Sequence, residues 1–158
     1  SGVRVLDALA AANALPVVSP PWSNLEDVAL VPIVSGPRTL ATGPGAQFAF
    51  TLDAPGIAGS YYSLILSAST FPGWQFPGDP RSLFLNVDPF FLATIGQNAP
   101  PFLIGWSNFL SAGGTATASL DLGALPAGML SGLVLYQQGI TLNGLSFGPA
   151  TNVLRLSF

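Results

Sequence analysis

The sequence predicts an all-β fold, a two-sheet antiparallel sandwich of jelly-roll or immunoglobulin-like kind, with a short N-terminal helix and a proline-rich arm. Three observations carry this. From Gln47 onward, about eight short runs are spaced as in a two-sheet sandwich. Several of them alternate large apolar with small or polar residues, the period of a strand with one buried face. Sets of turn-forming residues separate them: Pro55-Gly56, Pro72-Gly73, Pro77-Gly78-Asp79-Pro80, Gly96-Gln97-Asn98, Gly113-Gly114 and Asn143-Gly144.

Taken in order, Val3 to Leu15 is the one stretch with helical spacing. Val5, Leu6, Leu9, Ala10 and Asn13 fall on one face, Asp7 sits near the start where the helix dipole favours an acid, and Pro16 ends the pattern. A helix this short is marginal alone and needs a surface to dock on. Prolines 16, 20, 21, 32, 37 and 44 then punctuate an arm in which Leu25 to Val34 is apolar enough for a strand. Pro32 confines that strand to an edge, because proline has no N–H to give a ladder. The predicted boundary falls between an arm, residues 1–33, and a β module, residues 34–158.

Within the module the expected strands are Gln47–Ala54, Tyr61–Ser69, Ser82–Val87, Phe90–Ile95, Phe102–Phe109, Thr115–Leu122, Leu133–Leu142 and Asn152–Phe158. Phe48, Phe50 and Leu52 share a face, as do Tyr62, Leu64 and Leu66. Ala116, Ala118, Leu120 and Leu122 form a third such set, and Leu154, Leu156 and Phe158 a fourth. Asn143-Gly144 predicts a tight hairpin, since both residues tolerate positive φ. Ala124 to Leu130 reads as one short helical turn.

Composition narrows the chemistry. The 158 residues contain no cysteine and no histidine, and lysine is also absent. Thiolate chemistry, the commonest general base, and Schiff-base chemistry are therefore excluded. Four arginines, at 4, 38, 81 and 155, cannot supply the cations that nucleic-acid binding needs. No apolar run reaches the roughly 18 residues of a membrane-spanning helix. The Ser1-Gly2 start fits a secretory product trimmed of its leader.

Charged residues make up only 7% of the chain, against about 25% in ordinary soluble domains. Such a surface is expected to be covered in use, or else solubilised by amides and hydroxyls.

No residue pattern makes a catalytic constellation. Glu26-Asp27 are neighbours on an extended segment, so their side chains point to opposite faces. Two carboxylates across a sugar cleft would make a glycosidase, but no motif pairs any of the seven acids. Asp79, Asn86, Asp88 and Asn98 offer oxygens for calcium without the loop that would gather them, and Asp-Pro at 79-80 and 88-89 is simpler as turn chemistry. No Gly-x-Ser-x-Gly occurs, and Gly43-Pro44-Gly45 lacks the Lys-Ser/Thr of a phosphate loop. The aromatic C-terminus, Leu154 to Phe158, matches the end of an outer-membrane barrel, but the runs are too short and the prolines too many.

A series of short motifs runs through residues 34–158: Val34-Ser35-Gly36-Pro37, Gln47-Phe48-Ala49-Phe50, Ala54-Pro55-Gly56 and Tyr62-Ser63-Leu64-Ile65-Leu66-Ser67. It closes with Gly114-Thr115-Ala116, Leu125-Pro126, Leu130-Ser131-Gly132, Leu133-Val134-Leu135-Tyr136-Gln137-Gln138-Gly139 and Thr151-Asn152-Val153-Leu154. In this order the motifs resemble a β-rich module of large secreted and surface proteins in planctomycete-like bacteria. The resemblance implies a secreted sandwich and brings no active site with it.

Two functions are therefore expected from the sequence. One is a non-catalytic extracellular structural subunit that assembles with copies of itself into a filament, sheath or surface layer, through apolar sandwich surfaces and the N-terminal arm, with Val5, Leu6, Leu9, Leu25, Val28 and Leu30 as contact candidates. The other is a carbohydrate-binding or adhesion module acting on cell-surface polysaccharide, with Trp22, Trp74 and Phe76 as stacking residues. Trp106, Tyr61 and Tyr62 are further stacking candidates, and the alternative places Trp106 in the core. No cofactor or metal is expected in either case.

Overall fold

The structure, a computed structural model, describes residues 32–75, 82–95, 100–144 and 146–158. The expected N-terminal helix, most of the arm and its six contact candidates lie outside the described residues, as do Trp22 and Phe76.

The chain is mostly β. In order it forms β1 (Ile33–Ser35), β2 (Gln47–Asp53), a 3-10 turn (Pro55–Ile57), β3 (Tyr61–Ser67), β4 (Trp74–Gln75) and β5 (Ser82–Leu83). A helix α1 (Pro89–Thr94) follows, then β6 (Leu103–Ile104), β7 (Ser107–Phe109), β8 (Thr115–Asp121), β9 (Val134–Asn143), β10 (Ser146–Ala150) and β11 (Leu154–Ser157). Two antiparallel sheets pack face to face. The first runs β1-β2-β8-β6; the second runs β10-β9-β3-β7, with β11 also paired to β9. β10 and β11 share one edge of β9, β11 taking residues 134–137 and β10 residues 140–143.

Alternation explains the core. Phe50 and Leu52 of β2 with Ala118 and Leu120 of β8 face Tyr62, Leu64 and Leu66 of β3 and Leu154 and Leu156 of β11, all buried in one cluster. Their strand neighbours Ala49, Thr51, Thr117 and Arg155 are exposed.

One continuous segment bridges the two sheets along each flank. On the first flank β1 pairs with β2, and Arg38 to Leu40 then run beside β11: Leu40 N donates to Ser157 O at 2.8 Å and Ser157 N to Arg38 O at 2.8 Å. The bend falls at Gly36, where a Cβ would run into the Phe50 ring. On the second flank β6 pairs with β8 and β7 with β3, so the run read from sequence as one strand, Phe102–Phe109, is two. The break is at Gly105, at φ +68°, where a Cβ would meet Thr117 O at 2.9 Å. Trp106 locks this corner from the core: its Nε1 donates to Ser119 O at 2.9 Å, and its ring meets Phe50 edge-on at 6.0 Å. Tyr62 Oη donates to Gly105 O at 2.7 Å, and burial, with Tyr61 adjacent, pushes the Tyr62 hydroxyl above its ordinary pKa. Strands that change sheet in this way make corners between packed sheets.

β3 corrects the expectation of one polar face. Residues 62–67 are buried on both sides, because Leu83, Leu85 and Phe91, from between β3 and β6, pack over the second sheet. Ile65 and Ile140 pack there with Leu83, Leu85 and Phe91 in a second cluster. The polar residues on that face are paired: Ser63 Oγ with Ser107 Oγ at 2.8 Å, and Gln138 with Phe84 N and Thr151 O, both at 2.9 Å.

The segment read as a strand, Phe90–Ile95, is instead α1. Asp88 caps it from extended backbone, its Oδ1 accepting from Phe91 N at 2.9 Å, and Pro89 follows in the first helical turn. Phe91 and Thr94, three apart, turn inward. Thr94 Oγ1 accepts from Leu66 N at 2.9 Å, so the helix satisfies the end of β3 where a strand would have done so.

The remaining differences are smaller. The run expected over Ser82–Val87 pairs only at Ser82–Leu83, β10 has no counterpart among the expected strands, and Ala124–Leu130 forms hydrogen-bonded turns rather than helix. The hairpin at Asn143-Gly144 forms with Gly144 at φ +61°, and Ser146 pairs with Asn143.

Candidate functional site: an apolar cavity at one end of the sheets

The two sheets part at the end where β2 begins and β8 finishes. Their inner faces there are leucine: Leu66 from β3, Leu120 and Leu122 from the end of β8, and Leu135 from β9. Between them lies a cavity of about 350 Å³. The 123–133 loop supplies one wall through Leu125, Met129, Leu130 and Leu133. Phe90 and Ala93 of α1, with Phe102 and Phe158, supply the other.

Hydrogen bonds set these walls in place. Thr42 Oγ1 donates to Pro126 O at 2.7 Å and accepts from Met129 N at 3.1 Å, which fixes the Met129 lip. Phe158 is held by main-chain bonds, its N donating to Leu133 O at 3.0 Å and its O accepting from Gly132 N at 2.8 Å.

The polar groups bordering the cavity are already engaged. Thr94 bonds within α1 and to β3, and Asp121 Oδ1 accepts from Gly123 N at 2.9 Å. An apolar space of this kind offers water few of the partners that make buried water stable, the Asp121 carboxylate at its border being the exception. The lip is also apolar: Phe90, Phe102 and Met129 are exposed, and Leu92 on the outer side of α1 is 65% exposed. Charge is scarce nearby. The described charged residues are Arg38, Asp53, Asp88, Asp121 and Arg155.

Gln137 sits one pair deeper, opposite Leu66 on one side and Leu154 on the other. It is 0% exposed, and its amide meets no hydrogen-bond partner among the described residues. Its neighbours Leu66 and Leu135 line the cavity.

Asp88 has a structural position. Besides capping α1, its Oδ2 accepts from Ser67 Oγ and Ala68 N, both at 2.7 Å, which ties α1 to the end of β3. Partial burial pushes its carboxyl up, but the bonds from Phe91, Ser67, Ala68 and Phe90 outweigh this and hold it below the usual carboxylate range. Among the described residues no three acids gather as metal ligands would. Asp79 and Asn98 lie outside them.

Trp74 is half-buried, its ring edge-on to Phe91 at 5.8 Å in the second cluster. Phe71, 83% exposed, is the freest aromatic in the described part of that loop. No helix among the described residues is long and apolar enough to cross a membrane.

No sequence motif marks the cavity. Its one signal is the leucine density of residues 120–135 around Pro126 and Gly128, too much for an ordinary exposed loop. No protein-family model matches the chain, and no curated protein compared with it is significantly similar.

Proposed function

We propose that this chain is a non-catalytic extracellular structural subunit that assembles with copies of itself through apolar surfaces of a two-sheet sandwich. The carrying observation is the open, almost wholly apolar cavity with Phe90, Phe102 and Met129 exposed at its lip. On a chain that is only 7% charged, such a surface gains by being covered, at about 25 cal/mol for each Å² of apolar area removed from water. A contact of about 1,000 Å² or more is the scale of a stable interface.

The sandwich reading is supported by the β2–β3 and β8–β9 connections, both of which pass from one sheet to the other. Whether it is jelly-roll or immunoglobulin-like, its kinship with planctomycete-like surface modules and its place at the cell surface belong to the same proposal. Short or covered edge strands favour side-chain contact over strand addition as the mode of assembly: β6 has two residues, β1 and β7 have three each, and the edge beside β9 is split between β10, of five, and β11, of four, which Thr39 bridges. The polysaccharide reading draws less support, because the Trp74 ring lies against Phe91.

Charge placed on the lip tests this. Met129→Glu should shift sedimentation toward smaller species at matched concentration, while Thr117→Glu, on the outer face of the first sheet, should not. Equal sedimentation of Met129→Glu and the parent chain would remove the cavity lip from assembly.

A further inference from the structure

Resting on that reading, we infer that the cavity is the seat of the 3–15 segment of a neighbouring copy, so that the assembly is polar and head-to-tail.

The chain enters the sheets at the end opposite the cavity. Ile33 pairs with Asp53, which pairs with Thr115, so the arm joins the sheets at the end marked by those residues. The cavity lies at the other end, where Gln47 pairs with Asp121. The seven residues of β2 separate the two ends by roughly 23 Å. Traced backward from Ser35 to Ile33, the chain runs from Thr51 toward Asp53, away from the cavity. β1 therefore begins at the end of the sheets away from the cavity.

Reach and chemistry agree with a neighbour as the source. Sixteen residues, 16–31, separate the 3–15 segment from Pro32 and span up to roughly 50 Å when extended. Pro16, Pro20 and Pro21 favour an extended course over a reversal. The 3–15 segment offers Val5, Leu6 and Leu9 on one helical face, with Arg4 and Asp7 as its charges. Insertion of such a face into an apolar groove is a common recognition mode. The cavity volume, about 350 Å³, leaves room for a few aliphatic side chains. A donor at one end and an acceptor at the other make a heterologous contact, which extends into a fibre when the rotation does not close.

The absence of cysteine makes the test direct. Full-length Ala10→Cys, which spares the leucines, is mixed with full-length Met129→Cys under mild oxidation, so a 10–129 disulfide can form only between copies. The expected result is a linked dimer whose cross-linked peptide joins the two sites, about tenfold or more above a Thr117→Cys control, as local concentration dictates. If the mixture gives no such link, but a chain carrying both cysteines closes on itself as a monomer, the arm folds back and the inference is overturned. If neither link forms while the parent chain still sediments as large particles, the cavity is not the seat, although the assembly reading stands. A parent chain that sediments as a monomer overturns both together.

Discussion

Replacing Asn152 by alanine removes the clamp on the outer edge of β1. In the folded chain Val34 N donates to Asn152 Oδ1 at 2.7 Å, and Asn152 Nδ2 donates to Val34 O at 3.0 Å. One side-chain amide thus does for Val34 what a neighbouring strand would do. Val34 is buried in the main cluster while Asn152 is exposed, so water replaces only part of what the freed groups lose. A buried donor or acceptor left unpaired costs about 1–3 kcal/mol, and two on one residue, partly relaxed, should cost about 2–3 kcal/mol. For a domain of this size that is a fall of roughly 4–12 °C in Tm. Urea unfolding followed by tryptophan fluorescence, at fixed protein concentration, reads the change.

Asn152→Asp sharpens the test. It keeps the acceptor for Val34 N but points a second oxygen at Val34 O, so at neutral pH it should be no better than alanine. The introduced carboxyl should have a raised pKa in the fold, because only its protonated form can donate to Val34 O. The stabilisation it recovers is then full below the ordinary carboxylate pKa of about 4 and is lost as pH rises through the folded value. A loss below about 0.5 kcal/mol for Asn152→Ala, or an Asn152→Asp variant with the same pH dependence as the parent, would refute the clamp.

Other outcomes follow from the same geometry. Asp88→Ala should lower stability by about 1–3 kcal/mol, since it removes the α1 cap and the ties to Ser67 and Ala68; equilibrium unfolding measures it. Because the folded Asp88 carboxyl lies below its ordinary value, the parent gains stability above pH of about 4 and loses it as pH falls through the folded value, and Asp88→Asn should lose that acid-sensitive part. Gln137→Leu should raise stability by about 1–3 kcal/mol by removing a buried amide that meets no partner among the described residues, and a lower Tm would refute this. Gly105→Ala should cost about 1–3 kcal/mol, from its positive φ and the approach of Thr117 O, and an unchanged midpoint in urea would argue against a fixed corner.

The fold class is legible wherever one physical signal dominates. Phe48, Phe50 and Leu52 against Gln47, Ala49 and Thr51 specify a half-buried strand, and Asn143-Gly144 a hairpin, because period and turn chemistry act locally. Phe90–Ile95 reads as a strand because its apolar density outweighs Asp88-Pro89, a cap followed by a first-turn proline that announces a helix. Ser63 and Ser67 look solvent-facing because they alternate with Tyr62, Leu64 and Leu66, and polarity misleads once a second layer supplies hydrogen bonds. The cavity depends on where Leu66, Leu122, Leu135 and Phe158 meet, four positions far apart in the chain whose convergence is a property of topology. Gln137 is visible as a polar residue in an apolar strand, but nothing local distinguishes its unpaired amide from the paired one of Gln138.

Particle mass and shape of the purified full chain, by light scattering over a range of concentrations with electron microscopy of the same samples, test the central claim most directly. Self-assembly predicts mass that grows with concentration, and filaments or ordered arrays in the images. A clean 16.2 kDa monomer at high concentration would contradict it.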